Sequence, residues 1–296
     1  MRLSRLGEDR LLAELLARLP CNDSVVFAAG DDCAATRVRG SSELLVLKTD
    51  CLVEHVHFAS RANPLDVGWK AIMRPVSDFA AVSALPHFAL VTLIAPGRTE
   101  AAWVKKLYAG LARGAAKFDI SIVGGETSST PGPIAIAVAL AGFVERDRFI
   151  TRRGGRAGDD LFVTGRLGGA LRRKHLRFVP RIAESRWLTG HFSIHAMMDL
   201  SDGLGTDLPR LARASKVGFH INMDALPLSP DCKIDNALSD GEDYELLFAI
   251  SPRDRERLET TWRKKFPRLR LTRIGRFDRK SKIENRKLPG GYVHFQ

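Results

Sequence analysis

The chain is 296 residues long, 45% hydrophobic and 27% charged, with a formal net charge of +12 at pH 7. That length leaves room for two domains, and the composition is that of a soluble globular protein, not a fibrous or low-complexity one. No apolar stretch approaches the roughly 20 residues that cross a bilayer, and Met1–Leu6 runs into the charged Gly7-Glu8-Asp9-Arg10 without a signal-peptide core, so the cytoplasm is the expected location.

From the N-terminus, Leu6, Leu11, Leu12, Leu15, Leu16 and Leu19 recur at helical spacing and predict an amphipathic helix over 5–19, closed by Pro20. The run 44–47 predicts a short strand that delivers Lys48-Thr49-Asp50 at its end. Asn63-Pro64-Leu65-Asp66 supplies an N-cap, a proline at the first helical position and an acid in the first turn, so a helix starts there and reaches about Leu85. Pro75 predicts a kink or restart just ahead of Ser77-Asp78. A strand over 87–95, a helix over 99–118, a strand over 120–123 ending in Gly124-Gly125-Glu126-Thr127, and a long strand over 134–144 complete the first half. The glycine- and charge-rich segment 152–159 reads as a junction, dividing the chain into domains 1–148 and 149–296. Beyond it come a strand at 161–164, a basic helical stretch, a strand reaching Met198, a helix from Gly203 to about Ser215, strands at 218–222 and 245–250, a helix at 252–266 and a strand at 270–275. This alternation predicts an α/β or α+β fold.

The four cysteines, Cys21, Cys33, Cys51 and Cys232, form no Cys-x-x-Cys pair and have no histidine at zinc-ligand spacing, so they predict reduced side chains and not disulfides or a metal site. The basic residues gather in 166–186 and in the last forty residues, without interleaved stacking aromatics or a nucleic-acid-binding signature. That argues for a solvated basic face, or for attraction of small polyanions such as nucleotides, and against a nucleic-acid partner.

Against this basic background, five acidic clusters stand beside Gly, Ser or Thr: Gly30-Asp31-Asp32, Thr49-Asp50, Ser77-Asp78, Asp199-Leu200-Ser201-Asp202-Gly203 and Gly241-Glu242-Asp243-Tyr244-Glu245. Carboxylates gathered by a fold repel one another unless cations sit between them. Magnesium is the expected cation, because it takes one or two carboxylates and completes its shell with water and substrate phosphates. Asp199, Ser201 and Asp202 end a strand that feeds a helix, whose N-terminus favours a phosphate. Gly124 and Gly125 can bring backbone N–H groups against phosphate oxygens, and Glu126 can ligate a cation. The Gly-Gly turn lacks Walker A spacing. His57 alternates with His55 on a strand-like run.

In this order, the motifs resemble those of the thiamine-monophosphate kinases, a family of the aminoimidazole-ribonucleotide-synthetase-like ATP-binding superfamily. The resemblance rests on Gly30-Asp31-Asp32-Cys33-Ala34, Thr49-Asp50 with His57-Phe58, Val76-Ser77-Asp78-Phe79-Ala80-Ala81, Thr151-Arg152 ahead of Gly158-Asp159, Asp199 to Leu204, and Ser239 to Leu246. It implies an N-terminal α/β domain whose sheet pairs with that of a second subunit to make a barrel, a C-terminal α/β domain, and an active site between them. It also implies ATP- and Mg2+-dependent phosphorylation of thiamine monophosphate by a homodimer. Asp32, Thr49, Asp50, Asp78, Asp199 and Asp202 would hold magnesium; Gly125, Arg152, Ser201 and Tyr108 would contact ATP; His57, Glu242 and Tyr292 would contact thiamine monophosphate. Asp50, Asp199 and Arg152 are the implied catalytic residues. The chain departs from the family at Glu126, where Asp is typical, at Lys48, where Ser or Thr is usual, and at Arg74-Pro75 and Ser83-Ala84. Those departures keep two alternatives open: a related enzyme with another small-molecule acceptor, or a non-catalytic binder of nucleotide or thiamine phosphate.

Overall fold

The structure, a computed structural model, describes residues 3–16, 18–279 and 290. Its strands are β1 (Val25–Phe27), β2 (Ala34–Arg37), β3 (Glu43–Val53), β4 (Leu85–Ala95), β5 (Ser121–Ser129), β6 (Ala135–Glu145), β7 (Asp160–Thr164), β8 (Ile194–Asp199), β9 (Gly218–Ile221), β10 (Leu246–Ile250) and β11 (Leu271–Asp278). The helices are α1 (Leu3–Leu6), α2 (Glu8–Leu16), α3 (Pro64–Ala81), α4 (Ala101–Lys117), α5 (Ala170–Arg173), α6 (Ile182–His191), α7 (Leu204–Ala214), α8 (Ile234–Ser239) and α9 (Arg255–Lys265). They build a mixed α/β architecture on two sheets, ordered β1-β2-β3-β6-β4-β5 and β8-β10-β7-β11-β9. Among the described strands, only the β4/β5 pair is parallel.

Helix α3 is the pivot between the sheets. The Asn63 side chain accepts a hydrogen bond from the Leu65 N–H and Pro64 opens the helix, a strong start signal. Val67, Ala71, Ile72, Met73, Val76 and Phe79 are all buried, so the helix is apolar nearly all round and packs on both sides. It contacts α4, β3 and β6 of the first half and α6 and β8 of the second. Close approach to α4 depends on Gly68 and Gly110: a Cβ on either would lie about 2 Å from a backbone carbonyl of the other helix, at 2.0 and 2.1 Å respectively.

In the second sheet, β7 and β10 are buried on both faces. Alternation sends Phe162 and Phe248 toward the α3, α6 and α9 side, and Leu161, Val163, Leu247 and Ala249 toward α7 and α8. Among the described residues, the first sheet is covered on one face only. On its other face Leu47, Phe88 and Leu90 are 40%, 46% and 50% exposed, leaving an apolar surface. No helix among the described residues is long and apolar enough to cross a membrane.

Several sequence expectations are corrected. The opening helix is broken at Gly7 into α1 and α2, and Leu12 and Leu15 are exposed. The strand expected at 44–47 is eleven residues long, so Lys48-Thr49-Asp50 lies in its middle. Helix α3 runs unbroken through Pro75 and stops at Ala81, where Ser83 turns the chain at φ 60°. Gly124 to Thr127 lies inside β5, paired with Leu90 to Leu93, because the two extended strands run side by side. Strands β1 and β2 and helix α8 were not anticipated.

Candidate active site

Strand β3 aims residues into the space above α3. Leu44, Val46 and Leu52 face the core, and period-2 alternation puts Lys48 and Asp50 on that same inward face. Asp78 comes from the last turn of α3, Asp199 from the end of β8, and Asp32 from the loop before β2. Asp32, Asp78 and Asp199 are buried and offer carboxylate oxygens that all lie within 4.8 Å of one another. Burial pushes the Asp78 carboxyl far above the usual carboxylate range, with Asp199, Asp50 and Asp32 adding to it and Lys48 opposing it. Burial, then Asp32, push Asp199 up to about 7, against the hydrogen bond from Ser77. Three hard oxygen ligands that cannot all ionise unaided fit a magnesium-type cation.

The chain's own cations reach into the same cluster. Lys48 Nζ donates to Asp78 Oδ1 at 2.8 Å. Arg152 forks onto Asp32, with Nη2 2.6 Å from Oδ1 and Nε 3.2 Å from Oδ2, while its backbone N–H donates to Asp31 at 2.7 Å. Arg74 Nη2 lies 3.3 Å from Asp50 Oδ1 and Nη1 donates to the Cys51 carbonyl at 2.9 Å. Arg210 pairs with Asp202, and Ser77 Oγ donates to Asp199 at 2.6 Å. Lys48, Asp50, Arg74, Asp78, Arg152, Asp199, Ser201 and Asp202 line one cleft of about 370 Å³. The N-terminus of α7 begins just past Asp202, with Gly203 as its N-cap residue.

A smaller pocket of about 120 Å³ shares Arg74, Ser201, Asp202 and Tyr244 with this cleft and adds Val56, His57, Leu171, Asp240 and Glu242. Its floor is a buried polar knot. Lys70 Nζ donates to Glu242 Oε1 and Oε2 at 2.7 and 2.6 Å and to the His57 carbonyl at 2.8 Å, and His175 Nδ1 lies 2.9 Å from Glu242. The Val53 N–H donates to His57 Nδ1 at 3.0 Å. Tyr244 stacks on Phe178 at 3.8 Å. Glu242 and Tyr244 both hold positive φ, 56° and 51°, a conformation that costs non-glycine residues on the order of 1 kcal/mol and concentrates at ligand sites.

The structure thus brings Asp32, Asp50, Asp78, Arg152, Asp199, Ser201 and Asp202 together and sets His57 and Glu242 next to them. Tyr108, Gly124, Gly125 and Glu126 line a separate groove of about 530 Å³ along β5, an edge strand. Alternation puts Thr49 on the face of β3 opposite Lys48 and Asp50, and Glu126, level with Thr92, on that same outer face. Tyr292 lies outside the described residues. Lys70, His175 and Arg210 were missed; a lysine in the apolar run of α3 was the one available signal. The basic residues Arg166, Lys174, Arg181, Arg263, Arg268 and Arg270 line a larger cleft of about 1080 Å³ beside α9, which shares no lining residue with the cleft of Asp50, Asp78 and Asp199.

Comparison with known proteins agrees with this arrangement. Residues 30–144 match the family model "AIR synthase related protein, N-terminal domain" and residues 151–283 its C-terminal counterpart. The thiamine-monophosphate kinase of Rhodopirellula baltica is 35% identical over 97% of both chains, and that of Aquifex aeolicus 36% identical over the whole of both. The solved structure of AaThiL complexed with AMPPCP and TMP superposes with a TM-score of 0.81 at 33% identity, over 100% of this chain and 96% of that one. The hydrogenase maturation protein HypE of E. coli, at 20% identity and a TM-score of 0.68 over 92% of both chains, shares the fold alone. By these matches over nearly its whole length, the chain belongs to the thiamine-monophosphate kinase family.

Proposed function

We propose that this chain transfers the γ-phosphoryl group of ATP onto the phosphate of thiamine monophosphate, giving thiamine diphosphate and ADP. The observation that carries the reading is the buried Asp32–Asp78–Asp199 cluster at the floor of a cleft that opens into the Glu242–Tyr244 pocket. A cleft roomy enough for phosphate groups thereby adjoins a pocket in which Val56, Leu171 and Tyr244 stand beside carboxylates, a combination suited to a cationic heterocycle. The relatives' activity and the AMPPCP and TMP of the AaThiL complex support it.

Asp32, Asp78 and Asp199 would hold Mg2+, with Asp50 and Asp202 at the border of the site. Bound there, Mg2+ would neutralise phosphate charge. Thr49 and Glu126, whose side chains leave the opposite face of the sheet, stand apart from this set. Arg152 and the α7 N-terminus with Ser201 offer donors to phosphate oxygens. Tyr108, Gly124 and Gly125 border the β5 groove, where we place the remainder of the nucleotide. His57 and Glu242 shape the acceptor pocket. The acceptor phosphate is already ionised at neutral pH, so the residues act by positioning and charge neutralisation, without a covalent enzyme intermediate.

We also propose the division into domains 1–148 and 149–296, a cytoplasmic setting, and a homodimer. The homodimer reading is supported by the uncovered apolar face with Leu47, Phe88 and Leu90, which a second copy of the same sheet would bury. An ADP-release assay with Mg2+ tests the activity: thiamine monophosphate should stimulate release far above a panel of other phosphorylated and carboxylated metabolites. Equal stimulation by an unrelated acceptor would count against this substrate.

A further inference from the structure

The acidic cleft carries its own counter-charges, and two of them enter from positions that the phosphotransfer reading leaves without a role. Lys48 sits two residues before Asp50 on the inward face of β3, and its ammonium reaches Asp78 at the wall of the cleft. Arg74 sits one helical turn before Asp78 on α3 and turns its guanidinium onto Asp50 and the Cys51 carbonyl. Its Nε is buried with no hydrogen-bond partner among the described residues. With Arg152 on Asp32, three of the four carboxylates Asp32, Asp50, Asp78 and Asp199 already have a cationic partner, and Asp199 alone is held by a neutral hydroxyl.

That count bears on how many metal ions the cleft can take. Carboxylates crowded to this degree recruit cations until their repulsion is offset, and a triphosphate entering the cleft adds further negative charge. Lys48 Nζ, 2.8 Å from Asp78 Oδ1, already engages an oxygen that a divalent ion would take, and Arg74 adds a second positive charge at Asp50. An ammonium is a compact point charge with three rotatable donors, and only one of them is engaged by Asp78 at 2.8 Å, so it can also face a phosphate oxygen. Unlike a metal ion, it is present before the nucleotide arrives.

We propose that Lys48, with Arg74 beside it, is a resident cation of the phosphate site and replaces one divalent ion that the acidic cluster would otherwise bind. The inference rests on the phosphotransfer reading above. It makes this chain less dependent on divalent metal than its set of aspartates alone implies.

The test counts Mn2+ bound per protein by equilibrium dialysis, in the presence of a non-hydrolysable ATP analogue, for the wild type, K48M, K48R and K48M/R74M. K48M and the double variant should each bind one Mn2+ more than the wild type, and K48R, which keeps the charge, should bind the wild-type number. An unchanged count in K48M overturns the inference and leaves the phosphotransfer reading standing. A wild type that binds no Mn2+ with the analogue overturns both. Because K48M strands Asp78 without its partner, melting temperatures are compared in Mn2+ and in chelator. The metal-induced rise should be larger in K48M than in the wild type, even if K48M folds only with metal; an equal or smaller rise also overturns the proposal.

Discussion

Replacing Lys70 by methionine tests the account of the acceptor pocket. The Lys70 side chain is 0% exposed, yet its Nζ donates to both oxygens of Glu242 and to the His57 carbonyl and lies 3.1 Å from His175 Nδ1. Methionine keeps the length of the side chain and removes every one of those donors. Glu242 would then rely on His175, and the His57 carbonyl would lose the Lys70 donor. Breaking a buried ion pair by removing one partner costs about 3–5 kcal/mol. Set against a total stability of roughly 5–15 kcal/mol, that is a large fraction. For a chain of this size, each kcal/mol lowers the melting temperature by about 2–4 °C, so Lys70→Met should melt roughly 10 °C below the wild type. Adding Glu242→Gln to the same background should recover part of the loss, because no carboxylate is left stranded. Thermal melts followed by circular dichroism read both effects. A Lys70→Met melt within about 2 °C of the wild type, or a double variant destabilised by the sum of the two single changes, would refute the reasoning.

Three further outcomes follow from the same geometry. Asp199→Asn should lower kcat by at least about 100-fold while leaving the melting temperature equal or higher, since it removes charge from a buried cluster in which Asp199 is already pushed up to about 7; steady-state kinetics and a melt check it. Gly125→Ala should destabilise by about 2 kcal/mol or more, because a Cβ there would lie 1.8 Å from the Val91 carbonyl oxygen and force β5 off β4; a loss below about 0.5 kcal/mol in urea unfolding would contradict the register. Burial pushes Asp243 up to about 7, with Lys174 opposing it. The folded chain therefore holds that proton more tightly than the unfolded chain, whose value is 3.8, and this group's contribution to stability is lost as pH rises from about 4 through about 7. Asp243→Asn removes that loss, at most on the order of 4 kcal/mol, so the difference between variant and wild-type melts should widen across this range; a constant difference would count against it.

How much of this was legible in the sequence depends on what fixes each element. The Asn63-Pro64 start of α3 is local chemistry, and it was read correctly. The ends of β3 and β5 were misread because polar residues in an edge or one-sided strand resemble a turn. Lys48-Thr49-Asp50 and Gly124-Gly125-Glu126 continue their strands because β6 and β4 supply the ladder partners, a long-range cause. Strands of three and four residues, β1 and β2, are too short for periodicity to register. At the site, Asp32, Asp78 and Asp199 could be named as candidates, but their approach depends on α3 lying against β8 across the two sheets. The inward direction of Lys48 was available from the Leu44-Val46-Lys48-Asp50-Leu52 alternation. Lys70 binding Glu242, 172 residues away, could not be read from either local stretch.

The central claim is that buried aspartates gathered from α3, β8 and the loop before β2 drive phosphoryl transfer to a phosphate acceptor. Phosphorus NMR of the wild type and Asp199→Asn, each incubated with ATP, Mg2+ and thiamine monophosphate, tests it most directly. The account predicts that the two coupled resonances of thiamine diphosphate grow one-for-one with ADP in the wild type and are absent on the same timescale in the variant. ADP appearing with inorganic phosphate and no diphosphate, or diphosphate forming at the wild-type rate in Asp199→Asn, would contradict it.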